Sequence, residues 1–164
     1  MKNVFRCVYG DDTKSKNAFD LNKLFIFKLE LLDDRMILKS NNKQALKQRE
    51  FWYSQISDLE LSLAIGNYSP AVTVNKVIRY FYDLKFQDGY NEWVLEFRYP
   101  SDFIDCLNRL KELKIEFADP IGIYSIITTM DRLQVEKYFI HHAKELESNY
   151  NITVYRDNND YVTD

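Results

Sequence analysis

Side chains suited to chemistry are sparse in this chain of 164 residues. His141 and His142 are its only histidines. Neighbours on a helix point about 100° apart, so the two cannot grip one metal ion as an i, i+4 pair does, and they read as helix-surface residues. Cys7 and Cys106 stand far apart, in neither a metal-type nor a redox-type spacing, and read as reduced, buried small hydrophobes. Glu92 and Glu96 flank Val94 on the outer face of an expected strand. Two such carboxylates suit general acid–base work, yet a solvated strand face is the plainer reading. No Gly-x-Ser-x-Gly nucleophile motif occurs, and the four glycines are not spaced to wrap a phosphate. The expectation is a protein without catalytic residues, cofactor or metal.

One cluster does point at a partner. Arg35, Lys39, Lys43, Lys47 and Arg49 follow one another with no acid between Asp34 and Glu50, and Trp52 and Tyr53 stand beside them. Residues 1–50 carry 11 Lys or Arg against 7 Asp or Glu, a net of +4, whereas residues 51–164 carry 11 against 18, a net of −7. The basic run could draw anionic lipid head groups, nucleic acid or an acidic protein, with the aromatics stacking or inserting. A solvated hairpin and loop is the competing reading. Nucleic acid is disfavoured, because the acidic remainder of the surface repels a phosphate backbone.

The elements that must position these residues are mostly strands. Phe25, Phe27, Leu29 and Leu31 alternate with Ile26, Lys28 and Glu30, the Asp33-Asp34 turn follows, and residues 35–39 return as a hairpin partner. Residues 3–9 read as a first strand and 10–17 as a polar loop. Residues 41–50 favour helix by propensity but offer only Ala45 and Leu46 for burial, so they read as a solvated helical turn or ordered loop. Leu59, Leu61, Leu63 and Ile65 form one apolar row, which Gly66-Asn67 should end. Ala71 to Val74 then lead into the central hairpin. Its arms place Ile78, Tyr80, Tyr82, Leu84 and Phe86, then Trp93, Leu95, Phe97 and Tyr99, on one face around Asp88-Gly89. Pro100 and Ser101 then stop the strand and cap an amphipathic helix with Phe103, Ile104, Leu107, Leu110 and Leu113 as its apolar stripe.

This run of antiparallel strands and hairpins ended by one amphipathic helix resembles the bacterial branch of the pleckstrin homology (PH) family over residues 3–114. The resemblance is carried by the hairpin at 24–39, by Phe51-Trp52-Tyr53-Ser54 followed by Gln55-Ile56-Ser57-Asp58, and by the strand at 93–99 running straight into the helix. It implies an α+β fold in which antiparallel β-sheets form a PH-like partly open barrel closed by the amphipathic helix (101–114), and a role in binding proteins or lipids. Residues 1–118 are then a PH-like domain. Residues 119–164 form a C-terminal β-α-β extension: a strand over 123–128, a helix over 131–148 with Thr128 and Asp131 resembling a capping box, a strand over 152–155, and a frayed tail from Arg156. A rival parse takes 93–117 and 124–155 each as strand, helix, strand, giving a ferredoxin-like C-terminal half.

The bulk numbers fit one domain with a real core, since 46% of residues are hydrophobic and 29% charged. No apolar run approaches the roughly 18 residues that span a bilayer, and no signal-like core follows Met1-Lys2-Asn3, so a cytoplasmic location is expected. The expected function is a non-enzymatic interaction module that binds a protein partner through an exposed sheet edge, the open end of the barrel or the basic hairpin. Two alternatives are an acidic immunity or inhibitor protein covering a basic toxin or enzyme cleft, and peripheral binding to anionic lipid through the basic hairpin.

Overall fold

Strands written by alternation must find partners for both edges and cover for at least one face. A computed structural model describes residues 3–9, 26–40, 48–68 and 77–155. Among these, β1 (Val4–Tyr9), β2 (Ile26–Leu31), β3 (Arg35–Ser40) and β4 (Gln48–Trp52) make one meander, and β5 (Ile56–Tyr68), β6 (Val77–Asp88) and β7 (Asn91–Phe97) make another. Pairing of β1 with β7 joins them, giving the order β4-β3-β2-β1-β7-β6-β5, antiparallel throughout. A short strand β8 (Thr153–Tyr155) adds in parallel to the outer side of β5. The sheet curls into a half-barrel. Its curl is visible in Phe51 of β4, whose ring meets Phe86 of β6 at 5.0 Å and Trp93 of β7 at 4.7 Å although β3, β2 and β1 lie between them in the sheet.

The inner face carries the core. Phe5, Phe27, Leu29, Met36, Leu38, Leu61, Leu63, Leu84 and Leu95 are all sealed from water there. The hairpin between β6 and β7 closes on Gly89-Tyr90, with Asp88 opposite Asn91. Gly89 has φ +63° while Tyr90 has no positive φ, the arrangement of a type II′ turn with glycine first.

Helix α1 (Pro100–Glu112) follows β7 almost at once. Pro100 occupies its first position, where a missing N–H and a fixed φ cost nothing, and no side chain caps it. The expected cap from Ser101 is therefore not made. Phe103, Cys106, Leu107 and Leu110 enter the core, and Phe103 lies flat on Tyr82 with centroids 4.9 Å apart. Asp102, buried in the first turn, takes a 2.9 Å hydrogen bond from Arg6 Nε and ties α1 to β1.

The C-terminal part corrects two expectations. Residues 123–128 form no strand; they belong to helix α2 (Ile123–Thr129). The β-branched run suggested extension, but the Asp119 carboxylate accepts from the N–H groups of Ile123 (2.7 Å) and Tyr124 (2.9 Å), satisfying the first turn of a helix. Ile123 and Ile127, four apart, then share a buried face. The expected helix at 131–148 breaks at His142 into α3 (Arg132–His141) and α4 (Ala143–Asn149), and its capping box is Asp131 with Gln134 rather than Thr128 with Asp131. The ferredoxin-like alternative falls with its strands. Of residues 115–118 only Ala118 pairs, its N–H and C=O bonding Leu59 and Leu61 of β5 beside a bulge where Asp58 has φ +53°. Phe139, Val135 and Leu146 join the same core as the sheet, so the C-terminal helices pack on the first part of the chain.

Two boundaries also move. Gly66-Asn67 do not end β5, which pairs with β6 as far as Tyr68 opposite Val77. Residues 48–50 are strand, because pairing with β3 outweighs a local helix preference. The expected loop at 10–17, the segments 41–47 and 71–74, and the tail from Arg156 lie outside the described residues.

Truncating Phe103 to alanine should lower unfolding free energy by about 3–5 kcal/mol, the range for a buried phenylalanine, measured by urea denaturation. Tyr90→Ser, at the fully exposed turn, should change it by less than about 0.5 kcal/mol.

Candidate functional site

The structure divides the basic and aromatic cluster among three places. Arg35, Lys39 and Trp52 lie on the outer face of β3 and β4, since Arg35 pairs across to Trp52 and Met36 and Leu38 point inward. The Arg35 guanidinium stacks 4.6 Å from the Trp52 ring centroid and meets Asp34 at 2.9 Å and Glu50 at 3.2 Å. Lys39 is paired with Glu30 at 2.5 Å. Arg49 faces the other way, over Trp93 at 4.8 Å, with Asp88 3.1 Å away. Lys43 and Lys47 lie outside the described residues. Each described cation of the run thus meets a carboxylate drawn from another part of the hairpins. Trp52 stays 40% exposed.

Tyr53 leaves this face altogether. It sits in the β4–β5 turn, its backbone N–H bonded to the Asp34 carbonyl at 3.0 Å, and it lines a cleft of about 240 Å³ with Ile56, Leu59 and Ile115. Its hydroxyl is buried and makes no hydrogen bond. Burial pushes the phenol well above its ordinary range; the neighbourhood of Cys106 adds to this and Arg109 opposes it.

His141 and His142 line a shallow groove of about 370 Å³ over α3, with Met130, Gln134, Lys137 and Tyr138. His142 Nδ1 lies 2.8 Å from the Tyr138 carbonyl and its ring stacks on that of Tyr138 at 4.3 Å. Both cysteines are buried, and burial drives the Cys7 thiol upward, away from the thiolate. Among the described residues no group of three or more His, Cys, Asp or Glu is placed to hold a metal ion.

Sequence reasoning missed a polar cluster on the outer face of β5–β7. Glu96, expected in solvent with Glu92, is buried at 4% exposure, while Glu92 is exposed as expected. Directly across from it lies Asp83, at 1%, and next across is Ser62. Lys85, two residues along β6, is also buried. Burial first, and Glu96 second, hold the Asp83 carboxyl well above the usual range, with Lys85 and the Thr153 hydroxyl pulling the other way. The signal available was thin: a charged row on a long strand looks the same whether or not something covers it.

Comparison of the chain with protein-family models, with curated proteins and with solved structures gives no match to any of them.

A folded phenol held above its ordinary pKa of about 10 contributes stability below that pH and loses it as pH rises further. Tyr53→Phe should therefore leave stability at neutral pH within about 0.5 kcal/mol of wild type, because the removed hydroxyl has no partner. Above about pH 10 the variant should lose less stability than wild type, read from paired urea titrations.

Proposed function

We propose that this protein is a non-enzymatic, cytosolic protein-binding module on a PH-like scaffold, and that it receives its partner along the edge of β4. The scaffold reading is supported by two antiparallel meanders joined through β1 and β7, followed directly by an amphipathic helix whose apolar side enters their common core. That is the layout the sequence resemblance implies, with α1 as the plug of the barrel.

The observation that carries the binding reading is the unequal treatment of the two sheet edges. The β5 edge is covered by β8 and by Ala118. On the β4 side, no strand among the described residues lies beyond it. Because the Tyr53 N–H bonds the Asp34 carbonyl, the antiparallel rhythm turns the backbone of Phe51 and Arg49 toward β3 and that of Glu50 away from it. An outward N–H and C=O at Glu50 can pair with a strand of another chain, the mode called β-augmentation. Trp52, exposed and held in place by Arg35, supplies the kind of rigid aromatic anchor that dominates interface energetics.

Anionic lipid is less well supported, since Arg35, Lys39 and Arg49 all have carboxylate partners. Among the described residues no helix is long and apolar enough to cross a membrane.

Quantitative pull-down from the native cytosol tests the reading. A specific partner recovered by wild type should fall about tenfold or more with Trp52→Ala, the loss of a central aromatic anchor. Glu50→Pro, which removes only an outward N–H, should cut recovery while its urea midpoint stays near wild type. Equal recovery by wild type and both variants would exclude the β4 edge. Flotation of wild type with anionic vesicles, reduced to background in a Lys28→Glu, Lys39→Glu variant, would point to lipid instead.

A further inference from the structure

Strand β8 has three residues and three register pairs, Thr153, Val154 and Tyr155 opposite Ala64, Ile65 and Gly66. So short a parallel edge strand is held weakly by its ladder alone. What holds it lies just before it and beneath it. The Asn151 carbonyl accepts from the Ser62 hydroxyl at 2.9 Å and from the Lys85 ammonium at 2.5 Å. Asp83 lies on the same face, opposite Ser62 and two residues from Lys85, so the chain held by those two side chains passes beside its carboxyl. Ser62, Asp83 and Glu96 form one row across β5, β6 and β7, in register, and all three are buried.

Among the described residues the charged groups facing Asp83 are few. On β7 stands Glu96, directly opposite, with Arg98 Nε 3.7 Å from it. On β6 stands Lys85, with Glu60 of β5 across from it. The segment leading into β8 brings the Asn151 carbonyl and no charged side chain. Two carboxylates opposite one another on adjacent strands, shut off from water, do not both ionise without a large cost.

We propose that residues 151–155 are a proton-controlled latch: β8 lies closed on the edge of β5 while Asp83 carries a proton, and comes off when that proton is lost, baring the β5 edge. This goes beyond the protein-binding reading and does not depend on it. The linkage has one sign. With the latch closed Asp83 is buried and favours its neutral form; with the latch open water reaches the carboxyl and its pKa falls toward the ordinary value. The closed state therefore binds more protons. Closure is strongest at acid pH and weakens as pH rises from the ordinary carboxylate range to the elevated one.

Hydrogen exchange tests this, expressed as protection factors so that the intrinsic pH dependence cancels. In wild type the amides of Thr153–Tyr155 should lose about tenfold or more in protection between about pH 5 and about pH 9, one decade for each unit by which opening lowers the Asp83 pKa. Those of Tyr82 and Leu84 should stay level. Asp83→Asn, which fixes the neutral form, should make β8 protection independent of pH. Glu96→Gln, which removes the opposing charge, should move the loss to lower pH. Level protection of β8 in wild type, or an unchanged decline in Asp83→Asn, overturns the latch. Should Asp83→Asn fail to fold, Glu96→Gln decides: a decline at the wild-type pH removes the carboxylate pair from the account.

Discussion

Tyr82 is the point on which the packing converges. Its ring lies parallel to that of Phe103, 9° apart in plane, and meets Phe139 of α3 edge-on at 6.4 Å. Phe103 in turn tilts against Phe97, and Phe139 against Tyr80. One strand face thus seats a helix that follows β7 directly and another that arrives some thirty residues later. Aromatic burial of this kind supplies more apolar area per residue than any other side chain can. It fixes where α1 and α3 lie, and with them the path by which the chain returns to the sheet.

That path has a polar consequence. Helices α1 and α3 meet β6 through the face that carries Tyr80 and Tyr82, so when the chain comes back at residues 149–155 it runs along β5 and the opposite face. Strand β6 is then dry on both sides: Tyr82, Leu84 and Phe86 on one, Phe81, Asp83 and Lys85 on the other. Buried polar groups must be satisfied locally. Ser62 and Lys85 do so by turning to one backbone carbonyl, and Asp83 is left beside Glu96 with its neutral form favoured.

The two ends of the sheet meet different fates for the same reason. Strand β5 receives β8 and Ala118 because the C-terminal segments are carried past it. Strand β4, reached early in the chain, has its inner face pressed onto Phe86 and Trp93 and its outer edge left beyond β3. Among the described residues no strand pairs with the outer side of β4, and the indole of Trp52 beside it stays exposed.

Alternation with a period of two was enough to find the hairpins β2–β3 and β6–β7, and the spacing of Phe103, Leu107 and Leu110 was enough to find α1, because each pattern is set by neighbours on the same segment. Residues 123–128 misled for want of a distant fact: their β-branched side chains favour extension until Asp119 caps them and the core takes Ile123 and Ile127. The basic run was legible as composition. Whether Arg35, Lys39 and Arg49 were free to meet a ligand was not, since Glu50, Glu30 and Asp88 reach them only through strand pairing and curl. The same holds for Glu96, whose sequence context is that of any solvated strand residue. Local periodicity, written into the order of the residues, determined which segments are strands and which stripe is greasy. Burial and charge pairing depend on what the rest of the chain brings near, so only the tertiary structure decided which polar face is dry, which cations are already answered, and which sheet edge receives β8.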